Sequence, residues 1–308
     1  MTWDRPLEGH VGPLREALAD VLEKCDGVTD RLGQTPAATS MAMRELAEES
    51  PFAGGKEWGS TPVESAFNAA ELLIFGAIDL AKSTLDLLGP EVRTPVFAHT
   101  VIARACLEHA GRAWWLLEPA IGVKRRVARG INDRIYSLNQ QSRLPIDNPD
   151  VTKASDRREA LFDQGNALGF HKVHNKVTGP MLEENRPGNT KLISKLLSTR
   201  HEEDLGGIDP SLGGVVYGLF SAVAHGTAFG LAQSITVDAP NLPKDVPGRT
   251  WAAVYTGSEA VVIVLSALLM GLAEAVKRRN TLFGWEAKEL NLSFLRALDV
   301  ANKALPRR

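Results

Sequence analysis

Three dipeptides constrain the fold of this chain more than any other feature: Thr61-Pro62, Thr94-Pro95 and Asp209-Pro210. Each sets a side-chain cap and a proline of fixed φ at the head of a long apolar stretch, which is how helices start. Thr61-Pro62-Val63-Glu64 reads as a capping box. The helix it opens runs to Leu88, where Gly89-Pro90 stops it; the second runs from Thr94 to about Glu118. The third carries the uncharged segment from Val215 to Ile235. Further helices are predicted at 14–32, 41–48, 123–144, 152–168, 190–197, 250–279 and 285–303. Ala and Leu dominate while aromatics make up 6%, which favours helix over sheet. No alternating strand stands out, apart from a short extended piece at 235–238. The fold class is therefore all-α, a single bundle of about eight to ten helices with long central antiparallel members. Residues 1–60 are set apart as an N-terminal helical hairpin packed on a main bundle of 61–308.

Charge and cysteine content narrow the setting. A net charge of −2 argues against a whole-protein grip on nucleic acid, and no DNA-binding motif is present. Cys25 and Cys106 lie far apart in apolar segments, which fits a reduced, cytoplasmic protein rather than a disulfide framework. No secretory signal is expected at the N-terminus, where Asp4 and Pro6 interrupt a polar stretch. The runs Val215–Ile235 and Ala260–Ala273 are apolar enough to raise a membrane hairpin. Buried helices of a soluble bundle are also apolar all round, and that reading is preferred.

Common catalytic motifs are absent: no phosphate loop, dinucleotide fingerprint, nucleophile elbow or His-Glu-x-x-His occurs. His171 and His174 share a face only if helical and have no obvious further ligands, so neither metal nor cofactor is expected. On the helix from Thr61, the residues Glu64, Asn68, Glu71, Asp79, Lys82 and Asp86 form a narrow stripe expected to face water. The segment from Val123 to Arg134 is basic. Arginine pairs bidentately with phosphate, so Arg125, Arg126 and Arg129 are candidate RNA or nucleotide contacts; a solvated face paired with acids elsewhere is the alternative.

Polar chemistry inside apolar helices is confined to two places. Arg104 and Glu108 sit four residues apart on one face, a partner spacing for a partly buried ion pair, and His109 lies about 140° round the helix from Arg104. Tyr217, Ser221 and His225 repeat every four residues beside a stripe of small residues, Gly218, Ala222, Gly226 and Gly230. Small residues permit close helix approach, so the stripe is expected to bring Ser221 and His225 against Arg104 and Glu108. Such a group is either catalytic or a satisfied buried network.

The spacing of Arg104 and His109 resembles the Arg-x4-His signature of the HEPN superfamily. Tyr217 to Gly226 is similar to a segment of related uncharacterised bacterial helical proteins. The likeness covers 62–234. It implies a four-helix-type bundle, a homodimer, RNA as partner and a ribonuclease that works without metal. Arg104, His109, Glu108 and His225 would be the catalytic set, with Arg125, Arg126, Arg129, Ser221 and Tyr217 binding substrate. A non-catalytic binding or oligomerisation module, and a membrane-associated helical protein, remain the alternatives.

Overall fold

Pro62 and Pro210 open helices as expected, whereas the second helix begins only at Ala98, three residues past Pro95, and the capping of the first also differs. A computed structural model describes residues 8–30, 33–89, 95–143, 149–175, 179–202, 210–233, 235–238 and 253–304. Its elements are α1 (Glu8–Thr29), α2 (Met41–Ala47), α3 (Pro62–Leu87), α4 (Ala98–Leu116), α5 (Val123–Gln141), α6 (Pro149–Ala167), β1 (Lys172–Asn175), β2 (Gly179–Leu182), α7 (Asn189–Glu202), α8 (Pro210–Ala224), α9 (Ala228–Gln233), β3 (Ile235–Asp238), β4 (Ala253–Thr256), α10 (Ser258–Phe283) and α11 (Lys288–Ala304). Thr61 makes no side-chain cap on α3. Instead Glu49, from the short turn before it, accepts from the Val63 and Glu64 backbone amides at 2.9 and 3.3 Å. A carboxylate at a helix N-terminus satisfies both the orphan donors and the dipole.

The fold is all-α. Its few strands form two antiparallel pairs: β1 with β2, which the sequence patterning missed, and β3 with β4, which consumes the start of the helix expected from Thr250. Side chains fix the directions of the central helices. Leu107 meets Gly271, and the Trp114 carbonyl accepts from Arg278 Nη1 at 2.8 Å, so α4 and α10 run parallel. Glu71 pairs with Arg279 and Phe67 packs on Phe283 at 5.2 Å, so α3 runs against α10 and hence against α4. Helix α10 is buried along nearly its whole length. It is long and apolar enough to cross a membrane, with a mean hydropathy of 2.1, but 83% of that window lies inside the fold. The Val215–Ile235 run is not one span: α8 ends at Ala224 and Gly226 adopts a left-handed φ of 64° before α9.

One continuous core joins α1 to α11. Helix α1 packs chiefly on α11, α10 and α3, while α2 packs on α10 and α3, so both share the core of 61–308. The polar stripe of α3 behaves as expected at Glu64, Asn68, Asp79 and Asp86, which are exposed. Glu71 does not. It is 5% exposed and takes both Nε and Nη2 of the buried Arg279.

Candidate functional site

Helix α4 is the only source of the Arg104 and Glu108 pair, and its helical period decides what each residue can reach. Arg104 Nε donates to Glu108 Oε1 at 2.9 Å, as the four-residue spacing requires. From α8 the Tyr217 hydroxyl donates to the same oxygen at 2.7 Å, and the Arg104 guanidinium lies 5.7 Å from the Tyr217 ring centre. The two helices do bring their polar residues together, through Tyr217. Burial pushes the Tyr217 phenol up, and Glu108 adds to it. Burial works against the Arg104 charge, yet the Tyr217 hydroxyl and Glu108 hold its pKa above the ordinary arginine value. The trio is mutually satisfied.

His109 points elsewhere. Its Nδ1 lies 2.8 Å from the Ala105 carbonyl, which can only accept, so Nδ1 carries the hydrogen and Nε2 keeps its lone pair when neutral. The ring lies over Gly76 of α3, where an added methyl would sit 3.0 Å from Cδ2. Arg104 therefore faces α8 while His109 faces α3, the divergence that helix geometry imposes on a five-residue spacing.

Among the described residues, neither Ser221 nor His225 makes a hydrogen bond or ion pair to Arg104. His225 is exposed, and its backbone amide closes the last turn of α8 on the Ser221 carbonyl at 3.0 Å. Eight residues of helix carry it about 12 Å along the axis from Tyr217. The small-residue stripe does not form the expected helix interface at Gly218, which is exposed and where an added methyl would meet no other segment within 4 Å. Gly230 instead closes on the α8 backbone, where a methyl would lie 2.4 Å from the Ala222 carbonyl carbon, because the chain turns back at Gly226.

The basic helix α5 is paired with acids elsewhere, one of its two expected readings, but two of its arginines are buried rather than solvated. Arg126 is 0% and Arg129 2% exposed, so neither is a surface contact for RNA. Arg126 is held by Glu45 through Nε at 2.8 Å and Nη2 at 3.1 Å, and by the carbonyls of Leu116 and Glu118. Arg129 pairs with Glu118 at 2.7 Å and Glu184 at 2.6 Å, donates to the Trp115 carbonyl, and lies 4.9 Å from the Trp115 ring centre. Of these three arginines Arg125 alone reaches solvent, and it too is bound, to Glu184 at 2.7 Å. Burial disfavours the Glu184 charge, but Arg125 and Arg129 together hold its carboxyl below the usual glutamate range. A cleft of about 470 Å³ opens beside Gly122, Lys124, Arg125, Glu183 and Glu184, whose charges are paired across it.

Sequence reasoning missed a third cluster. Two turns beyond Arg104 on the same α4 stripe, Arg112 takes Asp133 of α5 through Nη2 at 2.8 and 3.0 Å and Nε at 3.2 Å. Arg186, in the turn after β2, is 2% exposed and stacks 4.2 Å from the Tyr136 ring centre. The stripe spacing from Arg104 to Arg112 was a usable signal; nothing periodic marks Arg186. Among the described residues no group of three or more metal-ligating side chains occurs, and His174 stands in β1 rather than on a helix. No family model, curated protein or solved structure matches the chain.

Proposed function

We propose that this chain is a non-catalytic helical binding module in which Arg104, Glu108 and Tyr217 form a structural network. One observation carries this reading: the groups expected to act together on a phosphate are engaged separately. Arg104 is committed to Glu108 and Tyr217, Arg126 to the buried Glu45, Arg129 to Glu118 and Glu184, and His225 lies beyond the end of α8. A nuclease of this type needs its arginine and histidine to converge on one phosphate.

RNA cleavage in the HEPN manner is the second reading, and His109 supports it. A partly exposed histidine with Nδ1 fixed and Nε2 free is equipped as a general base. Incubating the chain with labelled RNA at about pH 6 to 8 separates the two, since histidine changes charge there. The binding-module reading expects intact RNA with the wild type. Cleavage that disappears in His109→Ala, with an unchanged melting temperature, would establish the nuclease instead.

A further inference from the structure

Arg186 is a buried guanidinium without a hydrogen-bonded anion. Its Nε has no partner, its Nη2 reaches Asn189 Oδ1 only at 3.5 Å, and its nearest carboxylate oxygen, Asp133 Oδ1, is 3.8 Å from Nε. Asp133 is already committed, since Arg112 takes both of its oxygens. The next carboxylate along the stripe, Glu108, is held by Arg104 and Tyr217. Three arginines, Arg104, Arg112 and Arg186, thus share two carboxylates, and the missing charge falls on Arg186. Burial pushes the Arg186 pKa down, with Arg112 opposing its charge and Asp133 favouring it. Natural proteins seldom leave a buried charge short of a partner, because desolvating it is costly unless an opposite charge accepts its hydrogens.

We infer that the Arg112, Asp133 and Arg186 cluster is a binding site for a carboxylate ligand. The deficit is a single charge, which a carboxylate fills and a phosphate dianion overfills. A planar carboxylate also matches the fork of a guanidinium. Tyr136 stacks beneath that fork and holds its plane, as aromatic faces do for arginine. Of the three charged side chains Arg112, at 24%, is the most exposed and Arg186, at 2%, the least. The inference rests on the binding-module reading and gives it a ligand chemistry: a small carboxylic acid or the free C-terminus of a polypeptide.

Thermal unfolding of the full chain in sodium formate, against sodium chloride of equal ionic strength, tests the site. N-acetylalanine and its uncharged amide extend the series. Saturating formate or N-acetylalanine should raise the midpoint by about 2 °C or more over chloride. The amide should not. A larger gain with N-acetylalanine than with formate assigns the ligand to a polypeptide C-terminus; equal gains assign it to a small acid. Arg186→Gln should abolish the response. Asn189→Asp places a carboxylate beside Nη2 and should abolish it as well, which keeps the test decisive if Arg186→Gln fails to fold. A response equal to that of chloride, a response confined to inorganic phosphate, or one that survives Asn189→Asp would overturn the site. Loss of the carboxylate response with RNA left intact removes this site alone. His109-dependent RNA cleavage with the response preserved removes the binding-module reading alone.

Discussion

Arg126 and Arg129 on α5 and Arg186 in the turn after β2 are buried to the same depth, at 0%, 2% and 2% exposure. Their partners differ. Arg126 meets both oxygens of Glu45 and two backbone carbonyls, and Arg129 meets two glutamates and one carbonyl. Arg186 has an orphaned Nε, one long contact to Asn189 and a carboxylate that belongs to Arg112. Depth alone therefore does not separate a structural arginine from a ligand-binding one; the number of acceptors within hydrogen-bond reach does. The α5 pairs hold the fold, whereas the α4 cluster has capacity left over.

Breaking the better-served region should have the largest effect. Arg126→Ala leaves Glu45 buried without its cation, and removing one partner of such a pair costs about 3–5 kcal/mol. Urea unfolding monitored by circular dichroism measures it. Asp133→Asn takes the one shared carboxylate from Arg112 and Arg186 and should cost about 2–3 kcal/mol in the same assay. Arg104→Ala acts on a partly exposed pair and should cost about 1 kcal/mol. Arg186→Gln should cost less than any of these, within about 1 kcal/mol, because it removes few hydrogen bonds. A loss as large as that of Arg126→Ala would erase the distinction between the two regions.

Acid provides a finer probe. Arg125 and Arg129 overcome the burial penalty on Glu184 and hold its carboxyl below the unfolded value of 4.5. A depressed carboxylate stabilises fully above the unfolded value, and that contribution is lost as pH falls through the folded one. Unfolding free energy should therefore decline below about pH 4.5, and Glu184→Gln should flatten that part of the profile.

Local signals made much of the fold legible. Pro62, Val123 and Pro210 fall where helices begin, and the all-α class follows from such starts. The Arg104 and Glu108 pair was legible because both partners lie on one helix at a fixed spacing. Tyr217 was on the correct stripe, although the small residues beside it suggested the wrong packing. Arg126 and Arg129 follow the alternative of pairing with acids elsewhere, but buried rather than on a solvated face, and the RNA-contact reading missed this for a physical reason. Their carboxylates come from Glu45, Glu118 and Glu184, on other segments, and a local run of positive charge says nothing of acids folded onto it. His225 was misplaced because the period continued through Gly226, where the backbone turns left-handed and the helix stops. Arg186 lies in a turn with no period to read.

The comparison between the two sets of arginines can be measured at the guanidinium itself. Nitrogen-15 NMR of the arginine Nε–H groups in the wild-type chain, with and without formate, reports each donor separately. Arg126 and Arg129 should show protected Nε–H signals that formate leaves in place, while the Arg186 signal exchanges quickly without formate and shifts and becomes protected when it is added. Three signals that behave alike, all protected and indifferent to formate, would contradict the division of this fold into paired and unpaired arginines.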